Sequence, residues 1–278
     1  MSDGYSDPRP GSKIGRVRVA LMKLIHEHER DGALPTSVRF LFYELVMRGV
    51  IKKDDGVRPD AIVSAALTKL REDGHVRWDD IVDETREVSS YVGSETVAKD
   101  LLHYLNSARL DPWDGQVPFI ICESRSLAGV LRQLVQQFRC RIASTNGQCR
   151  GFLHTSIAMQ LDDGDPVGYL GDLDLAGVDI ELNTQNVLEE EVGPLDWTRL
   201  ALTREQVAQY NLPRIRKGDK RYNDGGFHEA VETEALSQRV IINIVRQWLE
   251  DQLPEALDHA RERDQRARLE RAIRRIRT

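Results

Sequence analysis

The sequence predicts an α/β fold in which a helical amino-terminal unit precedes a small parallel sheet and a helical carboxyl-terminal extension. Three observations lead there. Val117–Cys122 is a continuous apolar run ending in Glu123; Val167, Tyr169 and Leu170 run up to Asp172 and Asp174; and three segments between residues 14 and 70 carry apolar residues at helical spacing. A strand buried on both faces of a parallel sheet reads as an unbroken apolar run rather than an alternation. The predicted organisation is a disordered tail over 1–12, a helical domain over 13–112, the sheet domain over 113–236 and the helical extension over 237–278.

The opening stretch is rich in Gly, Pro, Ser and Asp and has no apolar face to bury. Ile14, Val17, Leu21, Leu24 and Ile25 form the first helical face. After Gly32 and Pro35, Thr36 is the predicted N-cap of a helix with Val38, Leu41, Phe42, Leu45 and Val46 inward, and Gly49 stops it. Asp60 caps a third helix with Val63, Ala66, Leu67 and Leu70 inward; Gly74 ends it before His75-Val76-Arg77-Trp78, a predicted wing strand. Three helices and a short extended hairpin fit a winged helix-turn-helix. Such modules set the later helix in the DNA major groove, which makes Lys69 and Arg71 candidate backbone contacts. A three-helix packing unit with no DNA role fits the same pattern. Arg39 and Tyr43 are four apart on the second helix, hence neighbours, and lie on the flank of its apolar stripe. Tyr43 is expected to show its hydroxyl to solvent or substrate.

A helix capped by Ser94, with Ala98, Leu101, Leu102 and Leu105 on one face, leads to the break at Leu110-Asp-Pro-Trp-Asp-Gly115. The strand ending in Glu123 follows, then a helix whose Leu127, Val130, Leu131, Leu134, Val135 and Phe138 share one face. Arg141–Ser144 is the next strand, Thr145–Arg150 a turn-rich loop, and Phe152–Leu161 a helical stretch before the strand at Asp172. In a strand, residues i and i+2 face the same side. Asp172 and Asp174 are therefore expected to point together into the crevice beyond the sheet's carboxyl edge, where open α/β sheets bind ligands. Gly177 lets the chain turn, and Val178-Asp179-Ile180 opens a helix. Adjacent carboxylates repel unless a cation or a raised pKa relieves them, and hard oxygen donors select Mg²⁺, with Mn²⁺ as a substitute. An acidic surface loop is the plain alternative.

Farther on, Thr203-Arg-Glu-Gln206 is a capping-box pattern, and Ser237 caps a helix with Val240, Ile241, Ile244, Val245 and Trp248 buried. The stretch from Arg214 to Arg221 reads as a basic loop whose Arg216, Lys217, Lys220 and Arg221 follow phosphates or stay solvated. The arginine-rich segment from Arg261 to Arg277 is an exposed helix or a DNA or partner contact. A net charge of −6 does not advertise a nucleic-acid binder. Cys122, Cys140 and Cys149 form no CxxC pair and leave an odd count, so neither a disulfide framework nor a zinc site is expected, as in a reducing cytoplasm. No apolar run of membrane-spanning length and no signal-peptide pattern is present, so no membrane contact is expected.

The order strand, Glu123, helix, strand, loop, Asp172-x-Asp174 resembles the TOPRIM domain of topoisomerases, primases and some nucleases. Within that group the chain is similar to the A subunit of type IIB topoisomerases (topoisomerase VI) and the related meiotic double-strand-break transesterase. The likeness rests on Asp172-Leu-Asp174-Leu-Ala-Gly177, on the glycine turn Ser144-Thr-Asn-Gly147, and on Arg39-Phe-Leu-Phe-Tyr43. It runs from about Leu34 to Trp248, with Leu175 where the family commonly has proline and Phe42 where many members have a second tyrosine. The resemblance implies that Glu123, Asp172 and Asp174 bind Mg²⁺, that Tyr43 is a nucleophile forming a phosphotyrosyl end on double-stranded DNA, and that Arg39 stabilises the phosphoryl charge. It implies a homodimer, in which the tyrosine of one protomer meets the metal site of the other. A separate ATPase subunit is also implied, since no P-loop is present. Glu232 and Glu234 resemble an acidic element of bacterial and phage-borne relatives. The alternatives are a hydrolytic nuclease of the plasmid-defence type, with Tyr43 structural, and a non-catalytic DNA-binding subunit.

Overall fold

The computed structural model describes residues 12–53, 60–82, 94–108, 110–147, 149–218, 227–254 and 259–276. Helices α1 (Lys13–Arg30), α2 (Val38–Met47) and α3 (Ala61–Glu72) form the amino-terminal unit. Strand β1 (Thr36–Ser37) immediately precedes α2, and its partner β2 (Ile81–Val82) pairs with it in parallel. That differs from a wing at His75–Trp78: Trp78–Asp80 is a turn of 3-10 helix, and no antiparallel hairpin occurs in this unit among the described residues. The N-cap of α2 is Ser37 rather than Thr36, its hydroxyl accepting from the Phe40 N–H at 3.3 Å. Thr36 is wholly buried, as the strand pairing requires.

Helix α4 (Val97–Ser107) is capped by Thr96, while Ser94 bonds Asp100 instead. Of its expected inward face only Leu105 is buried, and Leu101 is exposed. Four parallel strands follow: β3 (Phe119–Cys122), β4 (Arg141–Ser144), β5 (Pro166–Leu170) and β6 (Asp196–Ala201), in the order β4-β3-β5-β6. Ile120, Cys122 and Leu170 face one apolar cluster, and Phe119, Ile121, Val167 and Tyr169 face another. Burial on both faces is what the continuous apolar runs signalled.

Helix α5 (Arg125–Phe138) joins β3 to β4 with its six expected face residues buried. A short irregular helical run over residues 150–160 contains α6 (Arg150–Phe152) and leads towards β5. Helix α7 (Leu175–Val192) joins β5 to β6, and α8 (Arg204–Gln209) opens on the Thr203/Gln206 capping box, with both reciprocal bonds formed. The expected basic loop is in part a strand: β7 (Ile215–Gly218) pairs antiparallel with β8 (Phe227–Ala230). Helices α9 (Gln238–Gln252), capped by Ser237, and α10 (His259–Ile276) complete the chain. α10 is anchored by Glu262, which pairs with Arg139 at 2.8 Å and accepts the Leu110 N–H at 3.1 Å.

The amino-terminal unit and the sheet share a core. One apolar cluster runs from Val17 and Leu21 through Phe40 and Leu67 to Ile120, Leu131 and Leu249. Buried Gln238 donates to the Ala33 and Pro35 carbonyls at 2.6 and 2.9 Å, which fixes the entry to α2 against α9. Ser37 and Ser126 join α2 to α5 through their hydroxyls at 2.5 Å. Among the described residues no helix is long and apolar enough to cross a membrane.

Candidate functional site

The chain leaves β3 for β4 on one side and returns to β5 on the other. The carboxyl ends of β3 and β5 therefore frame the crevice where open parallel sheets bind ligands. Glu123 lies directly beyond β3. Its N–H donates to the Leu170 carbonyl at 2.8 Å, its carbonyl accepts from the Asn146 N–H at 2.9 Å, and its Oε2 accepts from the Asp172 N–H at 3.0 Å. Glu123 and Asp172, 49 residues apart, are thus neighbours, through the Asp172 backbone N–H and the Glu123 carboxylate. Gly171 makes the approach possible. A Cβ there would stand 2.6 Å from the Tyr169 ring and 3.0 Å from Glu123 Oε2.

Asp172 Oδ1 accepts two hydrogen bonds from Thr233, from the backbone N–H at 2.9 Å and from the hydroxyl at 3.2 Å. Asp174 is held differently. The strand ends at Leu170, so the alternation expected of residues 172 and 174 no longer operates, and Leu173 between them forms an antiparallel bridge to Val231. Asp174 is the N-cap of α7, which starts at Leu175 rather than near Val178, and its Oδ1 accepts from the Gly177 N–H at 2.7 Å. Sequence reasoning missed Arg199 on β6. Its guanidinium donates to the Gly171 and Asp172 carbonyls at 3.0 and 2.8 Å and pairs with Glu181, bracing the acidic loop from behind. An arginine within an ordinary strand pattern carried no signal of that role.

Arg39 reaches this crevice from α2. Its Nε pairs with Glu234 Oε1 at 3.1 Å and its Nη2 with Glu232 Oε2 at 3.2 Å, while Lys53 Nζ holds the other oxygen of Glu232 at 3.1 Å. Burial works against the Arg39 charge, but Glu234, Glu232 and Asp172 outweigh it and hold the guanidinium above its ordinary range. The Glu234 side chain is fully buried on a short 3-10 turn (Thr233–Ala235) packed against α2. Ser124 Oγ donates to its Oε1 at 2.7 Å, and its Oε2 has no hydrogen-bond partner. Burial, with the negative field of Asp172 adding to it, pushes the Glu234 carboxyl up to about 7 against the pull of Arg39 and Ser124.

Tyr43 departs from expectation. Its side chain is 4% exposed, edge-on to Phe42 at 5.2 Å, with Lys53 Nζ 4.6 Å above the ring. A helical wheel places it on a flank, but that flank meets the segment carrying Lys53 and not open solvent. Tyr43 still borders a cleft of about 490 Å³ with Arg39, Lys53, Asp60 and Glu232. The candidate DNA contacts on α3 have partners within the chain: Lys69 pairs with Asp73 at 3.1 Å, and Arg71 stacks on Trp78 at 4.3 Å and donates to its carbonyl. Arg216 and Lys217 fall on β7, and Lys220 and Arg221 lie outside the described residues.

Among the described residues no three His, Cys, Asp or Glu side chains converge as a group able to hold a metal ion. The donor chemistry nevertheless fits Mg²⁺, which takes one or two carboxylates and completes its shell with water and substrate phosphates. Glu123 and Asp172 are the two carboxylate residues at this crevice, the first held by the Asp172 backbone N–H and the second by Thr233.

The buried carboxyl of Glu234 gives a pH signature. Because burial pushes this carboxyl up to about 7 from an ordinary 4.5, the native state keeps its proton where the unfolded chain has lost it. This contribution to stability is complete below the unfolded pKa and disappears as pH rises through 7, a change on the order of 3 kcal/mol. Glu234→Gln, which stays neutral, is expected to flatten that slope; urea unfolding of both proteins in chelated buffer from about pH 5 to pH 8 measures it.

No family model, curated protein or solved structure matches the chain.

Proposed function

We propose that this chain is a Mg²⁺-dependent DNA-cleaving enzyme in which Tyr43 attacks a backbone phosphate, as in the A subunit of type IIB topoisomerases, with a helix-turn-helix unit set against a TOPRIM sheet. The observation that carries the reading is the reach of Arg39. It lies one helical turn from Tyr43 and pairs with Glu232 and Glu234, the residues on either side of the Thr233 that holds Asp172. Arg39 thus links the helix that carries Tyr43 to the turn that holds Asp172.

Glu123 and Asp172 are the carboxylates that would hold the ion, with Asp174 fixing the start of α7 beside them. Bound there, Mg²⁺ would supply Lewis-acid polarisation of a phosphoryl oxygen. Arg39 opposes the charge on the non-bridging oxygens, and Lys53 faces the charge gained by the phenol. The Tyr43 oxygen bonds to phosphorus as the bond from phosphorus to the neighbouring deoxyribose oxygen breaks. The phenol gives up its proton, the released hydroxyl takes one up, and the protein ends joined to one DNA end. Cutting a duplex takes two such events, so a homodimer belongs to the reading, and a separate ATPase subunit would drive any strand passage. The burial of Tyr43 favours a second reading, in which the same acids serve hydrolysis and the tyrosine is structural.

Incubating the protein with supercoiled plasmid and Mg²⁺, then comparing samples with and without proteinase before electrophoresis, separates the two. Broken DNA that is retained until the protein is digested is the expected result. Unblocked ends in both samples mean hydrolysis. Binding without breakage under any divalent ion removes both enzymatic readings.

A further inference from the structure

A second cleft, of about 460 Å³, is lined by both residues of the Leu173–Val231 bridge, next along the chain to the Glu232 that borders the Tyr43 cleft. In this bridge Leu173 and Val231 exchange both backbone hydrogen bonds, at 2.9 and 3.1 Å. Successive side chains of extended backbone alternate: Glu232 borders the Tyr43 cleft, while Val231, with Leu173 opposite it, lines the second. The Val231–Glu232 segment therefore stands between two clefts, and Leu173 and Asp174 of the acidic loop line the second one.

The cleft is mixed in character: Leu173, Val231, Val178 on α7 and Val207 on α8 give it apolar wall, and Asp174, Glu229, Arg204 and Arg214 give it charged groups of both signs. The acids there are already engaged: Asp174 Oδ1 caps α7, and Glu229 pairs with Arg214 at 2.7 Å. Arg204 has no salt bridge among the described residues, and Arg214 is bound only at the exposed surface, where such pairs exchange readily. The volume falls in the range of small-molecule sites. Apolar walls beside guanidinium groups match a nucleotide, whose base is flat and apolar on its faces and whose phosphate takes charged donors.

We propose that this cleft holds an unpaired nucleotide of the DNA strand next to the one being cut, its base against Val178, Val207 and Val231 and its phosphate on Arg204 and Arg214. This rests on the DNA-cleaving reading and extends it, because the strand would then straddle the Val231–Glu232 segment with a phosphate on each side. Neither arginine touches the reacting atoms; both are positioning residues.

Anisotropy of a fluorescein-labelled oligothymidylate, measured with the full chain in EDTA so that nothing is cut, tests the proposal. The double variant Arg204→Gln/Arg214→Gln is expected to bind about tenfold more weakly and to lose about one to two units of salt slope. Val178→Trp alters a partly exposed position, fills the cleft without touching a charge, and is expected to weaken binding while keeping the slope. Wild-type affinity and slope in both variants overturn the proposal, as does a wild type that binds no oligothymidylate. Plasmid cleavage by the same preparations separates the two readings. Cleavage with unaffected variants removes only this cleft; weakened variants in a protein that never cleaves remove only the catalytic reading.

Discussion

Asp172→Asn is expected to abolish divalent-ion-dependent plasmid cleavage while leaving the protein folded. The carboxylate would bear directly on a cation, and such an ion supplies several kcal/mol of transition-state stabilisation. At about 1.4 kcal/mol per decade, the loss is on the order of 10³-fold or more. Asparagine keeps an oxygen that can accept from both Thr233 donors, so the loop joining the sheet to the 3-10 turn retains its bonds. Asp172→Ala loses these as well and is expected to cost about 1–2 kcal/mol in stability besides activity. Initial cleavage rates and urea midpoints of the two variants, taken together, separate the ionic role from the structural one. Retained cleavage in Asp172→Asn would falsify the assignment of the ion to this crevice.

Tyr43→Phe is the second large effect. The substitution removes one oxygen and leaves the ring packed on Phe42 and beneath Lys53, so stability is expected to change by less than about 1 kcal/mol. Under transesterification the covalent protein–DNA species disappears altogether, because phenylalanine offers no nucleophile. Under hydrolysis the rate of plasmid nicking is unchanged within error. Quantifying proteinase-sensitive DNA retention in wild type and variant therefore decides between the two chemistries in one experiment. Because Tyr43 is buried in the free protein, the covalent route also demands that Lys53 and its neighbours move aside on binding. Protection of Lys53 from amine-reactive labels, measured with and without DNA, reports that movement.

Most of the sheet domain was legible in the sequence because its signals are local. The runs of β3 and β5, the six-residue face of α5 and the Thr203/Gln206 cap each sit within one window of residues, and each element forms where the pattern placed it. What stayed hidden depends on partners far along the chain. The parallel pairing of Thr36–Ser37 with Ile81–Val82 spans two residues and has no periodicity to announce it. Asp172 and Asp174 look equivalent in sequence, yet a capping bond claims one and a 3-10 turn some sixty residues away claims the other. Arg39 was visible as a neighbour of Tyr43, but its carboxylate partners lie 193 residues or more further on. The burial of Tyr43 escaped a helical wheel because the wheel describes one helix and not what is laid over it.

The mutual engagement of Arg39 and Lys53 with Glu232 and Glu234 also bears on how a polyanion arrives. These cations are partly offset before any phosphate comes near, and the chain as a whole carries −6. Long-range attraction would add little to the encounter, leaving an association rate set by diffusion and orientation alone. A protein with so muted an electrostatic lure gains most from being tethered beside its target, where a raised effective concentration replaces steering.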